Sequence, residues 1–149
     1  MRVTFIVLNI LLSATNANAG IGAEARSYHS RDWTGNGYKE KIQKDGVWRI
    51  VSNSRPQDGP GFSEMVVLYR ASELAIAAGY NYVQILDYEG SRVTSGPSVG
   101  SEVGYLYARG SNSPDAPTDC RTKRPNICTT ILASALQARL GPQMIIQYK

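Results

Sequence analysis

The chain reads as an α+β domain, a mostly antiparallel sheet of about five strands with two helices packed on one face. Short segments with two-residue alternation or rich in aromatic and β-branched residues recur along it, as strands require. One longer segment, Ser63–Ala78, carries a helical repeat instead. The elements follow as strand, strand, helix, strand, strand, helix, strand, an order in which hairpins rather than parallel crossovers join most strands.

The first nineteen residues, "MRVTFIVLNILLSATNANA", stand outside that domain. Arg2 is a short positive start, Val3–Leu12 is an apolar run too short to span a bilayer, and Ala17-Asn18-Ala19 places small residues at −3 and −1. This is the pattern of a secretory signal peptide, with a mature chain beginning at Gly20. No cysteine follows the cleavage site, so no lipid anchor is expected there, and no later apolar run is long enough to cross a membrane. Without Arg2 the chain keeps fifteen basic against twelve acidic side chains, a net charge of +3. That bias suits solubility and is too weak for a nucleic-acid partner. Residues 20–37 are polar, with Gly22, Gly35 and Gly37 and no sustained periodicity, and read as a flexible N-terminal arm. A single domain then occupies residues 38–149.

Within it, Tyr38–Gln43 and Val47–Ser52 flank Asp45-Gly46, a type I′ hairpin signal. Trp48 and Ile50 fall on one face of the second strand, and Val47, Arg49 and Val51 on the other. "RPQDGPG" is turn chemistry. The first helix follows, with Ser63 as its N-cap, a stripe of Val67, Ala71, Leu74 and Ala78, and Gly79 in the left-handed position past its end. A second apolar set, Phe62, Met65, Val66, Tyr69 and Ile76, makes this helix apolar over more than half its circumference. It is therefore wedged between two layers or packed on a partner chain. "YNYVQILDY" is a strand, Ser91–Gly104 a Gly/Ser-rich loop, "EVGYLYARG" another strand, and "SNSPDAPTDCRTKRPN" a long polar connection. Asn126 caps a second helix running to about Leu140, where Gly141-Pro142 ends it, and "QMIIQY" forms a terminal strand.

The chemistry-bearing residues are few. In an exported chain Cys120 and Cys128 are expected to form a disulfide, worth about 2.6 kcal/mol at most for a nine-residue loop. A competing role is a reactive thiol at Cys128, whose pKa the first turn of the second helix would lower, although the CxxC spacing of an oxidoreductase is absent. The single histidine, His29, lies in the arm and reads as an exposed polar residue. Neither a nucleophile–His device nor a zinc site, nor any cofactor, can be assembled from this set. "TGNGYKEK" is a turn, without the further residues of a phosphate loop. Asp87 and Glu89 share one side of their strand if it extends that far, which leaves carboxylate-based hydrolysis as an alternative. Arg121, Lys123 and Arg124 cluster inside the presumed disulfide loop as a candidate anion contact. Arg70 and Glu73, three residues apart, are placed to pair on the helix surface, and a partly buried Arg70 is expected to bridge from the helix to strand carbonyls or a loop carboxylate.

"WRIVSNS", a Gly/Pro turn, "LYRASELAIAAGYNYVQILD" and a late "LGP" resemble a family of small bacterial cell-envelope proteins, often labelled lipoproteins, to which no activity is assigned. The similarity covers about Trp48–Asp87, with a weaker echo at Leu140-Gly141-Pro142. It implies an envelope location and an α+β fold and brings no catalytic residues. The chain departs from the family in lacking a lipidated cysteine and in carrying Cys120 and Cys128. The reading is thus of an exported, periplasmic or extracellular accessory or binding protein, without enzymatic activity, whose partner is an envelope protein or anionic envelope component. The alternatives are a small envelope hydrolase using carboxylates such as Glu73 or Asp87, and a thiol-redox protein using Cys128.

Overall fold

In the computed structural model, which describes residues 28–124 and 126–144, five strands form one open antiparallel sheet with two helices packed against it. The expected signal peptide and the start of the arm lie outside the described residues. The elements are β1 (Gly37–Ile42), β2 (Trp48–Ser54), a 3-10 turn (Pro56–Asp58), α1 (Phe62–Ala77), β3 (Tyr82–Arg92), β4 (Glu102–Ser111), β5 (Thr129–Leu132) and α2 (Ala133–Met144). The spatial order is β1-β2-β4-β3-β5, every pair antiparallel. No helix among the described residues is long and apolar enough to cross a membrane.

The inner face of the sheet supplies Trp48, Ile50, Val83, Ile85, Leu106 and Ala108 to one buried cluster. Helix α1 adds Val67, Ala71 and Ala75, and α2 adds Ala133, Leu136 and Leu140. Helix α1 packs against both β2, β4 and β3 and against α2, as a helix with two apolar sides should, although Ile76 of its second apolar set is 44 % exposed. Its end follows the sequence pattern, with Gly79 at φ +80 just past the last turn.

Its start does not. The helix begins at Phe62 behind Gly61, which has φ +78, and Ser63 lies inside the first turn rather than capping it. Both oxygens of the Glu102 carboxylate accept from the Gly61 N–H, at 3.0 and 2.8 Å, so a strand residue does the work expected of Ser63. Ser63 Oγ instead donates to the Glu102 carbonyl at 3.0 Å and lies 3.0 Å from Ser54 Oγ, which satisfies a fully buried hydroxyl.

The β1–β2 turn also differs from the expected type I′. Gly46 N–H bonds the Gln43 carbonyl at 3.0 Å, and Gly46 is in the left-handed region at φ +79, whereas no non-glycine described residue has positive φ. This is a three-residue loop built on a type I turn, in which Asp45 stays in ordinary backbone space and its carboxylate accepts from the Val47 N–H. Strands β3 and β4 run further than expected: Ser91 pairs with Val103 and Arg92 with Glu102, so only residues 93–101 form the loop.

The second helix is the largest correction. Thr129–Leu132, expected inside it, is β5, and the helix occupies Ala133–Met144 with Pro142 inside it. Thr129, Thr130 and Ile131 are β-branched, and β3 would otherwise expose an unpaired edge, so pairing there overrides the helical reading. Pro142 does not end the helix, because Met144 is buried against Phe62 and Val66 and holds the last turn down. Gln143 and Met144 of the expected terminal strand are helical, and its remaining residues lie outside the described ones.

The outer face is covered by the polar connection. Gln84 Nε2 and Thr130 Oγ1 both donate to the Asp115 carbonyl, and Arg109 binds Asp119 through two bonds of 2.6 Å. The Cys120–Cys128 disulfide closes the end of this strap. Ladder register shifts between Ile85 and Asp87, leaving Leu86 without a partner in β4, and the strap's Arg121 N–H takes the Leu86 carbonyl at 3.0 Å.

Helix α1 rides close over β4 where Gly104 stands: a Cβ there would lie 3.1 Å from the Ser63 carbonyl oxygen. Gly104→Ala is expected to destabilise the protein by about 1–3 kcal/mol in urea unfolding, as overpacking does.

Candidate functional site

Most of the charged residues that sequence analysis singled out are committed to holding the fold. Arg70 makes the expected bond to Glu73, at 2.8 Å, and a two-pronged contact with Glu40 on β1, at 3.1 and 2.7 Å. Its guanidinium lies 5.0 Å from the centroid of the Tyr38 ring. Tyr28, from the arm, donates a short hydrogen bond to Glu73, stacks on Tyr38 and meets Tyr69 edge-on. The hydrogen bond to Glu40 comes first among the causes that hold the Arg70 guanidinium above even its ordinary pKa. Burial, then the bond to Glu73, push the Tyr28 phenol far above the ordinary tyrosine range. This cluster ties α1, β1 and the arm together. Its charges are already paired, with Glu40 and Glu73 both held by Arg70 and Glu73 also by Tyr28, although Tyr38, Glu40 and Arg70 border an open depression shared with Arg31 and Lys39.

The loop cations are mostly spent as well. Arg121 bonds Gln43 and Asp45 and lies 5.2 Å from the Tyr107 ring, and Arg124 donates to the Tyr88 carbonyl. Lys123 alone of the three makes no such contact among the described residues. These three side chains share a depression with Asp87 and Glu89 on the outer face. Asp87 and Glu89 do share one side, since the strand runs on to Arg92, and Glu73 sits on the opposite side of the sheet. The structure therefore brings Asp87 and Glu73 nowhere near each other. Asp87 Oδ1 is buried and accepts no hydrogen bond among the described residues.

Cys128 precedes β5 and is bonded to Cys120, so the helix start that would have activated its thiol is absent. His29 contacts the Ser30 carbonyl through Nδ1 at 2.6 Å, and its own carbonyl receives the Tyr38 N–H. A Cβ at Gly37, which has φ +98, would lie 2.6 Å from that carbonyl, so only glycine fits there.

The convergent open groups lie elsewhere, at the end of the β3–β4 hairpin nearest the start of α1. A depression of about 190 Å³ is lined by Gly61, Glu64, Tyr88, Arg92 and Glu102, among others. Behind it, a mainly apolar cleft of about 230 Å³ is lined by Glu64, Leu68, Ile85, Tyr88, Leu106 and Ile131, among others. A third groove of about 510 Å³ runs on between α1 and α2 past Met65, Leu68, Ile131 and Leu136. Glu64 borders all three, and Tyr88, Leu68 and Ile131 each border two.

The bulge at Leu86 creates this site. Simple alternation from Val83 and Ile85 would turn Asp87 inward; the extra residue turns Tyr88 inward instead, onto the core cluster. A Cβ at Gly90 would lie 2.7 Å from the Tyr88 hydroxyl, so the ring folds over a position kept bare for it. Burial first, then the charges of Glu64 and Glu102, push the Tyr88 phenol up to about 12. Glu102 is occupied by the Gly61 N–H. The Tyr88 hydroxyl, the Glu64 carboxylate and the Arg92 guanidinium make no hydrogen bond or ion pair among the described residues. Sequence analysis missed all three, because a local pattern shows neither the bulge nor the cleft.

No family model, no curated protein and no solved structure matches this chain.

In an alkaline spectrophotometric titration Tyr88 is expected to ionise near pH 12, a phase that Tyr88→Phe removes. Its raised pKa favours the neutral form, so the associated stability is whole below pH 10 and is lost as pH rises through 12. Glu64→Gln should move this phase back towards 10, because a negative charge is removed from beside the phenol.

Proposed function

We propose that this is an exported envelope protein that binds a small amphipathic ligand in the cleft around Glu64, Tyr88 and Arg92 and catalyses no reaction. One observation carries the reading. Three polar groups without partners among the described residues converge at the mouth of a largely apolar cleft, while the adjacent Glu102 and the more distant Glu40, Arg70 and Glu73 are all engaged. A mostly apolar pocket with a few convergent polar groups and a shifted titratable residue is the usual form of a small-molecule site. The apolar part of the ligand lies against Leu68, Ile85, Leu106 and Ile131, and its polar end meets the Tyr88 hydroxyl and the two charges at the rim. The residues lining this space offer one uncommitted carboxylate and neither a histidine nor a thiol, which favours binding over acid–base or nucleophilic chemistry.

Export is supported by the signal-peptide pattern of residues 1–19 and by the Cys120–Cys128 disulfide, a bond typical of oxidising compartments. A bacterial periplasm, as the site of action, follows from the resemblance of Trp48–Asp87 to envelope proteins.

Two measurements test the reading. The form recovered outside the cytoplasm is expected to begin at Gly20; recovery of only the uncleaved chain in the cytoplasm contradicts export. In amide NMR spectra, a panel of medium-chain fatty acids, alkyl glycosides and apolar amino acids should include a member that shifts Leu68, Tyr88, Ile127 and Ile131 saturably. Thr129→Trp, which fills the cleft from its rim, should abolish those shifts. Shifts that persist in this variant, or that gather elsewhere on the surface, contradict the assignment.

A further inference from the structure

Trp33 is 95 % exposed, although an indole carries one of the largest apolar surfaces of any side chain. Its exposure is built into the turn that presents it. Asp32 Oδ1 accepts from the Thr34 N–H at 2.9 Å, from Thr34 Oγ1 and from the Asn36 N–H at 3.3 Å. The Asp32 carbonyl accepts from the Gly35 N–H, and Asp32 N–H donates to the Asn36 carbonyl. Asn53 Nδ2, from β2, fastens the Gly35 carbonyl at 3.0 Å. The ring is thus held out in water on a turn anchored to the sheet.

Among the described residues, the uncommitted charges of the arm and of the adjoining edge strand β1 are all positive. Arg31 and Lys39 border the same depression, and Lys41 follows two residues along β1 on the side of Lys39. None of these three side chains makes an ion pair or hydrogen bond among the described residues. The acids among them are engaged, Asp32 within the turn and Glu40 on Arg70. This edge ends in the exposed Ile42, 66 % accessible.

We propose that this edge of the molecule docks on an anionic lipid surface, with the Trp33 indole at headgroup depth and Arg31, Lys39 and Lys41 over the phosphates. An indole ring prefers the membrane–water interface, and adjacent basic side chains are drawn to a negative surface. The inference is independent of the ligand cleft, which involves none of these residues.

The protein contains two tryptophans, and Trp48 is only 6 % exposed, so fluorescence isolates the event. With vesicles of equal parts phosphatidylglycerol and phosphatidylcholine at low salt, Trp33 emission should shift to the blue and the protein should sediment with the lipid. Phosphatidylcholine alone should do neither, and about 0.5 M salt should reverse the binding, since charges at a surface are then screened. Trp33→Ala should remove the shift and weaken sedimentation about tenfold or more. The Lys39→Glu, Lys41→Glu double variant should weaken binding similarly while keeping the wild-type Trp48 emission. No binding to anionic vesicles, binding indifferent to Trp33→Ala, or capture by soluble heparin in preference to vesicles without a Trp33 shift would each overturn the proposal.

Discussion

Helix α1 is pinned to the sheet by two strand carboxylates, and the rest of the architecture follows from where they hold it. Glu102 on β4 takes the Gly61 N–H at the helix start, and Glu40 on β1 takes the Arg70 guanidinium near its middle. A carboxylate at a helix N-terminus is favoured by the helix dipole, and a two-pronged contact from arginine adds direction to the charge. Between these points Gly104 lets the first turn approach β4 closely, and Val67, Ala71 and Ala75 close the core. The helix lies over β2, β4 and β3, and the Arg70–Glu40 tie reaches out to β1. The cleft opens where no such tie exists, on the flank that carries Glu64 and Leu68 towards β3 and β5.

The sheet itself has two apolar faces to cover, and the two α-helices among the described residues both pack on one of them. The other side, where Val47, Val51 and Leu86 are buried, is closed by residues 112–124 and the disulfide that follows them. A polar strap can do this because most of its contacts are hydrogen bonds to the sheet and ion pairs, above all Arg109 with Asp119 and Arg121 with Asp45. The disulfide restricts the end of that strap in the unfolded chain, which compensates for its small apolar content. The same reasoning explains why the basic residues inside the disulfide loop are poor candidates for an external anion: two of the three hold the strap in place.

The parts of this arrangement legible in the sequence are those fixed by neighbours within a few residues. The α1 stripe, its glycine stop, the Arg70–Glu73 pair, the β1–β2 hairpin and the disulfide all have that character. The parts that were not legible depend on distant partners. The cap of α1 comes from a residue 41 positions away, so Ser63, the local candidate, was the natural reading. Thr129–Leu132 is a strand because β3 offers it an edge, a fact absent from its own four residues. Tyr88 faces the cleft because one residue is inserted in the ladder before it, which no alternation rule anticipates. The candidate site is built from such features throughout, which is why Glu64, Tyr88 and Arg92 did not stand out in the chain.

Glu40, Arg70, Glu73 and Glu102 hold the fold, whereas Glu64, Tyr88 and Arg92 make no hydrogen bond or ion pair among the described residues and, in the function proposed above, are kept for a ligand. Sites kept for binding contribute little to stability, and relieving them often leaves stability unchanged or raised. The most direct measurement is therefore the urea unfolding free energy of the triple variant Glu64→Gln, Tyr88→Phe, Arg92→Gln. The division predicts a value within about 0.5 kcal/mol of the wild type, or above it. A loss of about 2 kcal/mol or more would show that these groups also hold the fold, and would contradict it.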